Sequence, residues 1–346
     1  MADPDMAPEE DWPALSRHLS DHGMTMTGPA PYRFSGGLAN RNYLIHLASG
    51  PTVLRRPPPG PLPPGAHDMA REHRILSRLP DALPAAPRSL YLCEDPSILG
   101  VPFQLLEYRP GRVIRATLPD NLASRAPELA ETMLATLASI HAVDTQALGL
   151  DTLGRPDGFL TRQRTGWQRR GRAVAAETPT TLKLIEELGT WLEAHAVPDA
   201  PPTLLHGDFK LDNLILEETT LHPTAIVDWD QGTRGDPLFD LATLLSYWTE
   251  PTDPPEMHAL QQMPTAAPGF PTREAAVQRY ATLTGRNVSD IRFHRVLALL
   301  KLAVIFLQLG ALSRTGATTD PRYATFTAVG TGVLSFTQDV AAGRVF

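Results

Sequence analysis

Apolar residues recur at helical spacing through much of the second half of the chain. Leu129, Met133, Leu137 and Ile140 stand three or four positions apart, which predicts a helix over 127–142. Further helices are expected over 181–195, 237–248, 272–283 and 292–312, with another near the C-terminus. The first third reads differently. After a short helix expected over 12–22, residues 32–47 read as two strands around Ser35-Gly36-Gly37, and 52–55 as a third. A Pro/Gly-rich loop over 57–65 leads to a helical pattern over 66–79. A strand-like run over 103–108 stops at Arg109-Pro110-Gly111, a natural boundary, and 214–216 with 225–227 read as a short hairpin. Residues 1–11, rich in Pro, Asp and Glu, are expected to be disordered.

Composition narrows the function. The 346 residues hold 31 Lys+Arg against 38 Asp+Glu, a formal charge of −7, with 42% hydrophobic residues. Such a chain can build a large core, which argues against a disordered or fibrous protein. Its acidic balance argues against a general nucleic-acid binder, because phosphate contacts need a basic face. Cys93 is the single cysteine, so neither an intramolecular disulfide nor a multi-cysteine zinc site is possible, and the cytoplasm is the expected compartment. The acidic start lacks the basic region and apolar run of a secretory signal. The most apolar stretch, 296–312, is interrupted by Lys301 and Gln308 and is shorter than the roughly 20 residues of a spanning helix, so it reads as a buried core helix and no membrane contact is expected.

The informative segment is Leu204-Leu205-His206-Gly207-Asp208-Phe209-Lys210-Leu211-Asp212-Asn213-Leu214. It sets an Asp five residues before an Asn between apolar flanks, the spacing of a kinase catalytic loop. Asp208 would accept the proton of a substrate hydroxyl, and the Asn213 amide oxygen would bind Mg2+ on the phosphates of ATP. A second carboxylate should follow a strand. Ala225-Ile226-Val227-Asp228 supplies it, and Asp228 would hold Mg2+ against the β- and γ-phosphates.

This segment resembles the aminoglycoside phosphotransferase and choline kinase superfamily of small-molecule kinases, which shares the protein-kinase-like fold. His206-Gly207-Asp208 stands where protein kinases carry His-Arg-Asp, and Asp228-Trp229-Asp230 where they carry Asp-Phe-Gly. Gly235-Asp236-Pro237-Leu238-Phe239-Asp240-Leu241-Ala242 is also similar, and there the Asp buttresses the catalytic loop. The resemblance implies an α+β, two-lobed protein-kinase-like fold: a small β-rich nucleotide-binding lobe over 12–108 and a larger, mainly helical catalytic and substrate lobe over 109–346. It further implies that Ser35, Gly36, Gly37 and Asn40 cover the ATP phosphates and that the strand carrying Glu107 and Tyr108 meets adenine.

One position departs from the pattern. Where the third strand should carry an ATP-holding Lys, this chain has Arg55. Its partner follows from helical geometry. At about 100° per residue, Met69, Ile75, Leu76 and Leu79 form one apolar stripe with Glu72 near its middle, and a carboxylate on a buried face needs a partner. Arg55 with Glu72 is therefore the expected ion pair.

Within the superfamily, Val53-Leu54-Arg55-Arg56-Pro57-Pro58, Ala66-His67-Asp68-Met69-Ala70-Arg71-Glu72 and Gly154-Arg155-Pro156-Asp157-Gly158 through Trp167 resemble the kinase-like group fused to, or encoded beside, acyl-CoA dehydrogenases. An ATP- and Mg2+-dependent kinase of a small-molecule hydroxyl is the expected activity. The alternatives are a nucleotide-binding regulatory protein with little catalysis, motivated by Arg55, and an antibiotic phosphotransferase. Between Arg155 and Arg172 the chain holds six arginines against Asp157 alone, which favours an anionic acceptor. The subgroup resemblance implies a hydroxylated acyl-CoA or a related carboxylate, with Arg162, Gln163 and Trp167 as contacts. The oligomeric state is not legible.

Overall fold

The computed structural model describes residues 10–34, 40–58, 67–316, 318 and 320–346. The chain divides into two compact units, Met1–Gly111 with Thr224–Gly232, and Arg112–Pro223 with Thr233–Phe346. In the first unit, α1 (Trp12–Asp21) precedes β1 (Tyr32–Arg33), β2 (Arg41–Leu47) and β3 (Gly50–Arg56). Next come α2 (Met69–Leu76), β4 (Ser89–Cys93), α3 (Pro96–Leu99) and β5 (Phe103–Glu107). The five strands make one antiparallel sheet in the order β1-β2-β3-β5-β4.

Because side chains alternate along a strand, the register sorts this sheet into two faces. Tyr43, Leu54 and Leu105 lie side by side and pack with Leu15 and Leu19 of α1 in the core. One residue along, Asn42, Arg55 and Gln104 lie side by side on the other face. That second row is the polar one.

The second unit is helical. It holds α4 (Ala126–His141), α5 (Phe159–Val174), α6 (Pro179–Ala194), α7 (Pro237–Tyr247), α8 (Pro255–His258), α9 (Arg273–Thr284), α10 (Ile291–Arg314) and α11 (Phe326–Ala341). Short strands β6 (Thr203–Leu205) and β9 (Thr233–Gly235) pair antiparallel, with β7 (Leu214–Leu216) between them in sequence. Then β8 (Pro223–Ile226) leads the chain back into the first unit. The expected stripe of α4 is buried: Leu129, Met133, Leu137 and Ile140 are all inaccessible. By length and composition α10 is long enough to cross a membrane, yet it is mostly buried, packed against α5, α7 and α11.

Several segments depart from the sequence reading. The tail expected over 1–11 ends sooner, because Glu10 accepts from Tyr43 Oη at 2.7 Å and pairs with Arg56, while Asp11 caps α1 at Ala14 N, 2.8 Å. The second helix is shorter than 66–79, since Asp68 caps it by accepting from Arg71 N at 2.9 Å. Helix α5 and strand β4 had no apolar periodicity to announce them. A single division at 108/109 leaves out Thr224–Gly232, which is held in the first unit by three bonds: Thr224 Oγ1 to Pro110 O, Ile226 N to Ala85 O and Trp229 N to Glu72 Oε1, at 2.9, 2.8 and 2.9 Å.

Candidate active site

In the first unit the site is built around a buried guanidinium. Arg55 donates from Nε to Glu72 Oε2 at 2.7 Å and from Nη1 to Asn42 Oδ1 at 3.2 Å, and its Nη2 is bonded to Asp228 Oδ1. Glu72 is completely buried and accepts two more bonds, from Gln104 Nε2 at 2.6 Å and Trp229 N at 2.9 Å. The register explains the geometry, since Asn42 and Gln104 flank Arg55 on neighbouring strands. Both residues escaped the sequence reading.

Burial opposes the charge on Arg55, but Glu72, Asp228 and Asp230 outweigh it and hold the guanidinium above its ordinary value. Burial lifts the Glu72 carboxyl above the usual carboxylate range, with Arg55 pulling the other way. A guanidinium stays protonated and Glu72 receives three N–H donors, so we read the pair as ionic at neutral pH. Asp230 accepts from Asn40 Nδ2 at 3.2 Å, and burial together with Asp228 pushes it up to about 7. Asp228 itself has φ 71°, a left-handed backbone that few non-glycine residues adopt and that Asp tolerates better than most. Substituting Arg55→Ala and Glu72→Ala singly and together should give unfolding energies that are non-additive by about 1–3 kcal/mol. Additive losses would mean that the pair contributes nothing of its own.

In the second unit the His206–Asp208 turn is anchored by a buried carboxylate. Asp240, buried at the start of α7, accepts from His206 N and Gly207 N, both at 2.8 Å, and from His141 Nε2 at 3.3 Å. Burial works against its charge, but these donors outweigh burial and hold the carboxyl below its usual value. Gly207 has φ 84°, a conformation a side chain would strain. Asp208 follows, accepting from Tyr247 Oη at 2.7 Å, with Lys210 Nζ at 3.4 Å from its other oxygen. Burial first, and then Asp208, push Tyr247 well above its usual pKa, so it acts as donor. Asn213 donates from Nδ2 to the Asp208 carbonyl at 2.8 Å, which orients its amide and leaves Oδ1 as the group able to bind a cation.

Asn213 in the second unit and Asp228 in the first each carry oxygen donors of the kind a hard cation takes. Among the described residues no group of three or more His, Cys, Asp or Glu is arranged to hold an ion. A few hard oxygen donors fit Mg2+, which binds one or two protein groups and completes its shell with phosphates and water.

The other expected residues fall as follows. Ser35, Gly36 and Gly37 lie outside the described residues. Glu107 ends β5 and accepts from Arg88 N at 3.2 Å and Arg109 Nη2 at 2.9 Å, and Tyr108 follows it. Arg162 spends its guanidinium on the carbonyls of Arg155 and Asp157, and Gln163 accepts from Trp167 Nε1 at 2.9 Å. Arg164 and Arg172 pair with Glu193 and Glu186 of α6, at 3.7 and 2.5 Å. The local positive excess counted along 155–172 is therefore smaller in the folded chain, because a neighbouring helix supplies two carboxylates that a linear count omits.

The model of the phosphotransferase enzyme family matches residues 32–276. Mouse acyl-CoA dehydrogenase family member 10 is 36% identical over 308 residues, which is 88% of this chain and 28% of that protein. Rat acyl-CoA dehydrogenase family member 11 is 30% identical over 300 residues, covering 84% of this chain and 38% of that one, so the chain spans only about a third of such relatives. Among solved structures, a Ralstonia eutropha protein described as an aminoglycoside phosphotransferase superposes with a TM-score of 0.78 at 23% identity over 97% of this chain and 99% of that one. Plasmodium vivax ethanolamine kinase superposes at 0.58 with 11% identity, over 91% and 84% of the two chains. The fold is α+β, two-lobed and kinase-like, and with most of its length matched by the family model the chain belongs to the phosphotransferase enzyme family.

Proposed function

We propose that the protein transfers the γ-phosphoryl group of Mg·ATP to the hydroxyl of a small molecule. The carrying observation is the Asp208 carboxylate, held by Tyr247 and Lys210 on a turn anchored by Asp240. A carboxylate so placed takes the acceptor's proton as the acceptor oxygen bonds to phosphorus and the bond to ADP breaks. Bound magnesium would neutralise charge on the phosphates, and Asn213 and Asp228 are the residues to hold it. Asp228→Ala is then expected to weaken binding of Mg·ATP more than of metal-free ATP in titration calorimetry; equal losses would make Asp228 structural. Binding without transfer is a second reading, favoured by one observation: Arg55 is joined to Asp228 as well as to Glu72.

For the acceptor we favour a hydroxylated acyl compound, such as a hydroxyacyl-CoA. Relatives named for acyl-CoA dehydrogenases support this, as does a cleft of about 420 Å³ lined by Ala116, Leu118, Met263 and Ala267. The cleft lies close to the catalytic loop, since Met263 Sδ accepts from Leu211 N at 3.4 Å. Its lining has one titratable side chain, His258, and no carboxylate, which suits an apolar body and disfavours a polycation. In a Mg·ATP-dependent panel of hydroxyacyl-CoAs, free hydroxy acids, choline and kanamycin, the acyl compounds should be used best. Preference for choline or kanamycin would refute this.

A further inference from the structure

Helix α10 buries two cationic side chains, Arg295 and Lys301, and the second is required neither by packing nor by the proposed chemistry. Lys301 is 7% exposed, and its neighbours Leu297, Leu300 and Val304 are completely buried. An aliphatic side chain at this position would pack without desolvating an ammonium, which is costly. The ammonium lies 5.5 Å from the Phe239 ring and donates to Gly207 O at 2.5 Å. Burial pulls its pKa below the usual lysine value, with Lys210 and Arg170 adding to this and Asp208 and Asp240 opposing it.

The location of that bond matters. Gly207 is the left-handed residue immediately before Asp208, and its N–H already goes to Asp240 Oδ1. The residue is thus held at its amide by a buried anion and at its carbonyl by a buried cation. A neutral donor would satisfy the carbonyl, so the charge needs a further reason. An ammonium bonded to the Gly207–Asp208 peptide strengthens that bond and places positive potential behind the Asp208 carboxylate.

We infer that Lys301 is a positioning residue for phosphoryl transfer, forming with Asp240 a clamp of opposite charges that fixes the Gly207–Asp208 peptide. This rests on the reading of Asp208 as the base.

The test is Lys301→Gln, whose amide can still donate to Gly207 without the charge, beside Lys301→Met, which fills the space. Steady-state kinetics use the best acceptor of the panel, and hydrogen exchange is followed at the amides of His206 and Gly207. Lys301→Gln should melt close to the wild-type temperature and Lys301→Met somewhat below it, since methionine leaves the Gly207 carbonyl without this donor, and both should keep KM for ATP within about threefold and lose about 10- to 100-fold in kcat. The two amides should exchange at least about tenfold faster, while those of α4 and α10 do not change. Wild-type kcat with unchanged exchange would overturn the inference. So would proportional losses of kcat, ATP binding and melting temperature, or failure of both variants to fold, since these mark a structural residue. Faster exchange at the two amides in a protein that transfers no phosphoryl group even as wild type would support the clamp and sink the proposed function instead.

Discussion

Asp208→Asn is expected to lower phosphoryl transfer by about 10²- to 10⁴-fold while leaving Mg·ATP binding within a few-fold of wild type. The carboxamide is nearly isosteric and its oxygen can still accept from Tyr247, so the turn should stay in place. What it lacks is a group able to take the acceptor's proton at neutral pH. Asp208→Ala should lose as much or more, since Lys210 then also loses the carboxylate 3.4 Å from its ammonium. Single-turnover measurement of ADP and phosphorylated acceptor decides the matter, and near wild-type rates in either variant would remove Asp208 from the chemistry.

The largest stability effect should come from Glu72→Ala, at about 3–5 kcal/mol. The loss exceeds that of an ordinary ion pair because three donors lose their acceptor together: Arg55 Nε, Gln104 Nε2 and the Trp229 amide. Glu72→Gln should cost less, since its oxygen can keep some of these bonds. Urea unfolding followed by circular dichroism measures the difference, and a loss below about 1 kcal/mol for the alanine variant would show that the guanidinium needs no carboxylate there.

What the sequence reveals of this site depends on how far apart in the chain the parts lie. Asp208 and Asn213 are legible because a short loop brings them together, and Glu72 because it interrupts an apolar helical stripe. Asn42 and Gln104 are not, since their place beside Arg55 depends on strand register, which no local pattern encodes. Tyr247 reaches Asp208 from 39 positions away, and Lys301 reaches Gly207 from 94. Lys301 did leave a trace, as the charge that breaks an apolar run. Arg164 and Arg172 show the opposite failure: their charges are evident in the sequence, but Glu193 and Glu186, which offset them, become visible only when α5 packs on α6.

The return of Thr224–Gly232 to the first unit has a consequence for how the chain is made. A ribosome releases Glu72 and Gln104 long before Trp229, with the whole of Arg112–Pro223 still to be synthesised. At about 5–20 residues per second, roughly 6 to 25 seconds pass between Gln104 and the last donor to Glu72. During that interval the nascent sheet holds a carboxylate whose third donor has not yet been made. The N-terminal unit therefore cannot complete its native hydrogen bonding in the order of its synthesis, and its final closure must wait for a segment encoded beyond half of its neighbour.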